Sequence, residues 1–386
     1  MTLHRKAAVT GIGETKYSKG SGMSDRALQL QAVERAIADA GIGRDDIDGI
    51  IPSPHGNGFT SEGFSEHLGL KRLAFSTTVH FGGANGLTAM HSAAMAVASG
   101  SARHVLVVAG RNGYSGTKIS ARPQLVQANF EATREFESPF GATVPMHFYA
   151  LMAQRLMHVY GTTSRQLGMV AVTERAHAML NDNAIMQAPL TIEEHQQSRM
   201  LVDPLHLFDC CIESDGAAAY IVSAADAARD CRNEPAWILG IAEGHPDSPS
   251  SIVTRSDTLR SGVGIAAPYA FGMAGIAPQD LRAAMLYDPF SFLVILQLEA
   301  IGYCKPGEGG PFVESGGIAL DGPLPTNTHG GLLSQAHSVA GINHLCEAVR
   351  QLRGTAGKAQ LDLSGPVIVT GNGDFGDGAV AILSNT

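Results

Sequence analysis

Apolar positions along the chain switch between a helical period and runs that read as buried strand. In "MSDRALQLQAVERAIADAG" they fall at Ala27, Leu28, Leu30, Ala32, Val33, Ala36 and Ile37, the spacing of one helix face. Ser24 stands at the N-cap position and Gly41 where a left-handed closing residue is needed. "GLTAMHSAAMAVASG" is apolar nearly all round, which predicts a buried helix, and "HVLVVAG" is a continuous apolar strand of the type covered on both faces. "KAAVTGIGETK" predicts a strand followed by a glycine turn, and "DIDGIIPS" a short strand.

From 111 to 215 the pattern changes. "MHFYALMAQRLMHVYGTTSRQLGMVAVTERAHAML" predicts two helices broken at Gly161-Thr162-Thr163, between loops such as "SPFGATVP" and "APLTIEEHQQSRM". This predicts a long insertion lying over the core. Strands resume at "DGAAAYIVSAADAA" and "AWILGIAEG". The second half then repeats the first. "APQDLRAAMLYDPFSFLVILQLEAIGYC" predicts helix, strand, turn and helix, and "GLLSQAHSVAGINHLCEAVRQLRG" a glycine turn running into a helix. "PVIVTGNGDFGDGAVAILSN" predicts two closing strands. One unit used twice predicts two similar α/β halves packed together.

Composition narrows the setting. A chain of 386 residues, 44% hydrophobic and 16% charged, is long enough for two or three units and excludes general disorder. The balance of 27 basic against 36 acidic residues excludes a general nucleic-acid or anionic-membrane surface. No apolar run reaches the length of a membrane span, and "MTLHRKAAVTGIGETKYSKG" lacks a signal peptide's apolar stretch. Cys210, Cys211, Cys231, Cys304 and Cys346 form no Cys-x-x-Cys pair, which predicts a reduced, cytoplasmic protein without a disulfide framework or a zinc site.

The candidate chemistry centres on "HFGGANGLTAM", residues 80–90. A glycine turn opening a helix is where a nucleophile is presented, because orphan N–H groups and the helix dipole stabilise an anion. Yet Gly82, Gly83, Ala84, Asn85 and Gly86 supply no thiol or hydroxyl. "TGIGETK" has Lys16 where a dinucleotide fingerprint needs its third glycine, and there is no G-x-S-x-G elbow. Among 15 histidines, His337 in "SQAHSVAGIN" and His329 in "NTHGG" stand out by setting. Cys210 and Cys211 read as packing residues, and Cys304 and Cys346 have no activating basic neighbour in sequence.

The ordered motifs "YGTTSRQLGMVAV", "DCCIESDGAAA", "YDPFSFLVILQLEAIGYCKPGEGGPFV" and "NTHGGLLSQAHSVAGINHLCEAVRQLRG" give the chain a resemblance to the thiolase superfamily over nearly its whole length. The branch it resembles is that of sterol-carrier-protein-type thiolases and lipid-transfer-protein thiolase-like proteins. The resemblance implies an α/β thiolase fold, with two similar βαβαβαββ halves in a five-layered αβαβα arrangement. Residues 1–110 and 216–235 would form the first half, 111–215 an inserted loop domain, and 236–386 the second half. In degradative thiolases an acylated cysteine opens the first buried helix, and here Gly83 takes its place. The His-Asp-Cys-Phe motif becomes Tyr287-Asp288-Pro289-Phe290, so its His and Cys are both absent, whereas the His of Gly-His-Pro persists as His337.

Thiolase-like aldolases of steroid side-chain degradation share the small residue at the cysteine's place and work with a partner carrying an oligonucleotide-fold domain and a zinc ribbon. The resemblance therefore implies retro-aldol cleavage of a 3-hydroxyacyl-CoA without an acyl-cysteine. His337 would serve as base, Tyr287 as second acid/base or donor, and His329 as an orienting group. Gly83, Ala84, Asn85 and Gly86 would donate to the thioester oxygen, with Ser291, Asn327 and Gly330 as further substrate-binding positions. No cofactor beyond the substrate's coenzyme A is expected, and no metal; a homodimer is. Two alternatives stand beside this reading. One is an acyltransferase with a different nucleophile, Cys304 or Ser291; the other is a non-catalytic scaffold subunit.

Overall fold

A computed structural model describes residues 2–53, 58–118, 131, 133–247, 251–252, 254–373 and 376–386. The 122–130 stretch of the insertion lies outside these residues. The first half runs β1 (Ala7–Glu14), α1 (Asp25–Ala40), β2 (Gly49–Pro52), α2 (Ser61–Leu68), β3 (Phe75–Ser76), α3 (Asn85–Ala98) and β4 (His104–Asn112). The insertion carries α4 (Pro145–Tyr160), α5 (Ser164–Ala178), α6 (Ile192–Gln197) and a small hairpin, β5 (Met200–Val202) and β6 (Leu205–His206). β7 (Asp215–Ala224) completes the first half. The second half is β8 (Ala236–Gly244), α7 (Gly262–Ala274), β9 (Ala283–Met285), α8 (Ser291–Ala300), α9 (Gly309–Glu314), α10 (Ile342–Arg353), β10 (Val367–Asn372) and β11 (Gly378–Ser384).

Among the described residues the larger sheet has nine strands in the order β3-β2-β4-β7-β1-β8-β11-β10-β9. Read outward from its centre, the order is the same in both directions. β1 and β8 lie innermost, β7 and β11 flank them antiparallel, and β4 and β10 follow. The halves join through a short β1–β8 pairing, Ala8 with Trp237 and Val9 with Ala236. Three apolar cores separate the layers. α1 and α2 cover one outer face, and α7, α8, α4 and α5 the other. α3 and α10 are buried in the middle against strands of both halves. The strands divide their side chains accordingly: Leu106 and Val108 enter an outer core, Val105 and Val107 the central one, as period-two alternation requires. The result is the mixed α/β arrangement of two similar halves that the residues predicted, layered as the resemblance implied.

Caps explain several boundaries. Ser24 Oγ accepts from Ala27 N, and Gly41, at φ 70°, closes α1 onto Ile37 O. Gly161 ends α4, and Thr163 caps α5 in a reciprocal box with Gln166. The structure also corrects the reading. "TGIG" is not a turn: β1 continues to Glu14, and a Cβ on Gly11 would sit 2.3 Å from Ala36 O of α1. Gly240 of β8 plays the matching part, with a Cβ position 2.1 Å from Ala270 O of α7. Glycine here lets a helix lie directly on its strand. The helix expected at "APQDL" shortens to one turn, Pro278–Asp280. α7, with Pro268 inside and little polar patterning, was not predicted at all. Among the described residues no helix is long and apolar enough to cross a membrane.

Candidate active site

α3 and α10 begin side by side, joined where Gly86 N–H donates to Ala340 O. Into this junction comes the segment that follows β9. Leu286 is clamped by Asn327, whose Oδ1 accepts Leu286 N at 2.7 Å and whose Nδ2 donates to Leu286 O at 2.8 Å. The Tyr287 backbone donates to Thr370 Oγ1 and accepts from Gln297 Nε2. The backbone on either side of the Tyr287 side chain is therefore fixed by buried hydrogen bonds.

The tyrosine ring answers why the glycine turn lacks a nucleophile. A Cβ on Gly83 would lie 2.3 Å from both Cε1 and Cζ of Tyr287 and 2.4 Å from Asn372 O. The ring occupies the space a side chain at position 83 would need, and Gly341, at φ 79°, borders it on the other side. Tyr287 Oη lies 3.2 Å from His337 Nε2. His337 Nδ1 in turn lies 3.0 Å from Cys211 Sγ. The imidazole is held by its backbone, which donates to Ser214 Oγ and bridges to Glu213. Residues 210–214 thread between Phe290 and Leu332: Cys210 bridges to Phe290, Cys211 N donates to Pro289 O, and Ile212 N to Leu332 O. Sequence reasoning placed Cys211 in packing. Its partner lies 126 residues away, so no local signal marks the contact.

The other predicted residues sort differently. Asn85 Oδ1 accepts Phe81 N at 2.5 Å and locks the turn. Ala84 N–H is bonded to Phe81 O, Asn85 N–H to Gly82 O and Gly86 N–H to Ala340 O. An anion-binding role for this turn falls to Gly83 at most. Ser291 opens α8, its hydroxyl donating to Asp209 Oδ1 at 2.5 Å; that carboxylate also meets His195 Nε2 and His206 N. Ser291 and Asp209 are both fully buried, so the hydroxyl is committed to that carboxylate and not presented to a substrate beside Tyr287 and His337. Gly330, at φ 99°, packs on Ala178. Asn327 braces Leu286 and donates to Glu174 Oε1.

Behind Tyr287 lies a fully buried layer. Asp288 accepts from Leu332 N, Leu333 N and His344 Nε2, the last at 2.8 Å. Burial, then the neighbouring Asp288, pushes the Glu174 carboxyl well above the usual carboxylate range. His344 faces the Tyr287 ring, and His329 stands edge-on to His344, at a ring separation of 4.7 Å. His329 is one ring removed from Tyr287, and among the described residues neither of its ring nitrogens has a hydrogen-bond partner. Burial, with His344, Arg350 and His177 nearby, holds it well below the ordinary histidine range, so it is neutral. Cys304 lies past the end of α8, its thiol pushed up to about 11 by burial and then Glu299 and Glu308.

Residues 244–385 match the family model described as "Thiolase C-terminal domain-like". A steroid side-chain-cleaving aldolase of Thermomonospora curvata is 38% identical over 379 residues, 95% of each chain. The 17-hydroxy-3-oxo-4-pregnene-20-carboxyl-CoA lyase of Mycobacterium tuberculosis is 36% identical over 96% of this chain and 97% of its own. A solved structure described as "Ltp2-ChsH2(DUF35) aldolase" superposes with a TM-score of 0.91 at 37% identity, covering 100% of this chain and 99% of that one. The chain belongs to the thiolase superfamily, in its sterol-carrier-protein-type branch. Two of these relatives are named as an aldolase and a lyase, and in this chain Tyr287 and His337 stand together where Gly83 supplies no thiol or hydroxyl.

Proposed function

We propose that this chain is a thiolase-like lyase that cleaves a 3-hydroxyacyl-CoA by a retro-aldol route, with no acyl-enzyme. One observation carries the reading: the ring of Tyr287 fills the space over Gly83, and its hydroxyl meets His337 Nε2 at 3.2 Å. The pair replaces covalent chemistry with proton transfer. The 3-hydroxyl gives its proton to Tyr287, and Tyr287 passes its own to His337. The C2–C3 bond breaks, C3 becomes a carbonyl, and the electron pair moves into the thioester enolate. The stored proton returns to C2, giving a shortened acyl-CoA and a ketone or aldehyde. Protons balance over the cycle. The burial of Cys304 and the Asp209 bond of Ser291 argue against the acyltransferase alternative built on either residue.

By similarity to its relatives, the substrate class we propose is a steroid-derived CoA thioester with a hydroxyl on the carbon β to the thioester. The solved relative whose description pairs two components supports a second proposal, a small accessory protein with an oligonucleotide-fold domain and a zinc ribbon. We further propose a homodimer, with β3, one of the sheet's two edge strands among the described residues, as its edge. The test is product analysis by mass spectrometry, with and without the protein from a neighbouring gene. The substrates are 17-hydroxy-3-oxo-4-pregnene-20-carboxyl-CoA alone and a 3-ketoacyl-CoA with free CoA. A ketone plus a shortened acyl-CoA from the first is the expected result. Two acyl-CoA products from the second would mean a thiolase, and no cleavage of either would favour a scaffold subunit.

A further inference from the structure

We propose that Cys211 is a positioning residue for the acid/base pair: its sulfur accepts a hydrogen bond from His337 Nδ1–H and so keeps the Nε2 lone pair aimed at Tyr287 Oη. The inference rests on the retro-aldol reading for its consequence, but its geometry stands apart from it. The three groups are linked in sequence through the imidazole, with Sγ 3.0 Å from Nδ1 and Oη 3.2 Å from Nε2. A neutral imidazole carries one proton, and the bond made by one nitrogen decides which end is free to accept. For His337 to take the tyrosine's proton, Nδ1 must already hold one and donate it outward. Cys211 Sγ is the group at that end. It is held there by its own backbone bond to Pro289 O, next to the Cys210–Phe290 bridge. When His337 becomes imidazolium, Nδ1–H still donates to the sulfur, which stabilises the cation.

The surroundings keep the sulfur a thiol and not a nucleophile. Burial, then Cys210 and Asp288, raises Cys211 well above the usual thiol range; Glu213 adds to this and Arg111 opposes it. On the other side of the pair, Tyr287 faces His337 at Nε2 and His344 across its own ring. Cys211 therefore acts through His337 and touches no reacting atom.

The test has two readouts. In steady-state kinetics with 17-hydroxy-3-oxo-4-pregnene-20-carboxyl-CoA, Cys211→Ala is expected to lower kcat on the order of 10- to 100-fold with little change in KM. It should also move the acidic limb of the kcat–pH profile to lower pH, because the imidazolium loses its acceptor. Cys211→Ser, which keeps a lone pair, should recover part of both. Nitrogen-15 NMR of His337, assigned with His337→Gln, should show the Nδ1–H tautomer in the native chain and its loss in Cys211→Ala. An unmoved limb with native kcat, or a native Nε2–H tautomer, overturns the proposal. So does an acyl adduct on Cys211 by intact mass, which would make it a nucleophile. If the native chain cuts no substrate but the tautomer changes as stated, the reaction assignment fails and the positioning role stands.

Discussion

Tyr287 and Asp288 are neighbours in the chain and belong to opposite sides of the site. In extended backbone successive side chains point apart, so the tyrosine reaches forward to His337 and the aspartate back to His344. Each side pairs an oxygen group with an imidazole. In front, His337 is half-buried, and its ring meets the Tyr287 hydroxyl at one nitrogen and the Cys211 sulfur at the other. Behind, Asp288 and His344 are wholly excluded from solvent, and the carboxylate is held by two backbone amides besides the imidazole. On the proposed reading, an oxygen group paired with an imidazole serves catalysis on one side and rigidity on the other. Exposure and the donor count at the oxygen distinguish them.

Breaking the front side should affect rate and leave folding nearly intact. Tyr287→Phe should lower kcat by about 10²- to 10⁴-fold, the usual weight of a positioned acid/base group. Its unfolding free energy should change by no more than about 1 kcal/mol, the worth of one hydrogen bond. His337→Ala should fall in the same range. If the two act as one unit, the double variant will lose little beyond the worse single one; multiplicative losses would show that they act separately. Steady-state kinetics and urea unfolding on the same preparations decide between these outcomes.

Breaking the back side should do the reverse. Asp288→Asn removes the charge that His344 and two amides are built around, and a loss of about 3 kcal/mol in stability is expected from breaking a buried pair. Denaturant unfolding measures it. A stable variant with abolished cleavage would instead place Asp288 in the reaction.

The junction between the two sides is sharpened by Gly83→Ala. The added Cβ meets the Tyr287 ring and Asn372 O well inside contact distance, so overpacking should cost about 1–3 kcal/mol. In a Tyr287→Leu background part of that cost should disappear, and the coupling measured by the double-mutant cycle tests whether ring and glycine share one space. This pairing also marks how far the sequence could be read. The helical periods, the Ser24 and Gly41 caps and the repeated half were legible because they are local signals. The empty nucleophile position was legible as an absence. What filled it was not, because Gly83 and Tyr287 meet only when α3 and the β9 extension are folded together. Cys211 escaped for the same reason, and α7 because an apolar helix with glycine and an internal proline has no polar face to set its period. His329 and His337 both stood out by setting; the fold separates them, burying His329 in the back layer and placing the His337 ring between Tyr287 and Cys211.

His329 supplies the smallest and most specific test. It is buried, neutral and, among the described residues, without hydrogen-bond partners at its ring nitrogens. Its folded pKa lies well below the ordinary 6.5, so below that pH the unfolded chain binds a proton the folded one refuses. Stability must then fall as pH drops, at about 1.4 kcal/mol per pH unit for a single such group. His104 and His177 are lowered by burial as well and add to the same slope. Glu174 works with the opposite sign, losing its contribution as pH rises through its raised folded value. The difference between native chain and His329→Leu cancels all three. Urea unfolding at pH 7.5 and pH 5.5 should show the variant losing about 1 kcal/mol less than the native chain on acidification, while its kcat at pH 7.5 stays within a few-fold of native. Equal losses would mean that His329 takes up its proton while folded. A large fall in kcat with the stability difference as stated would move His329 from the back layer into the chemistry.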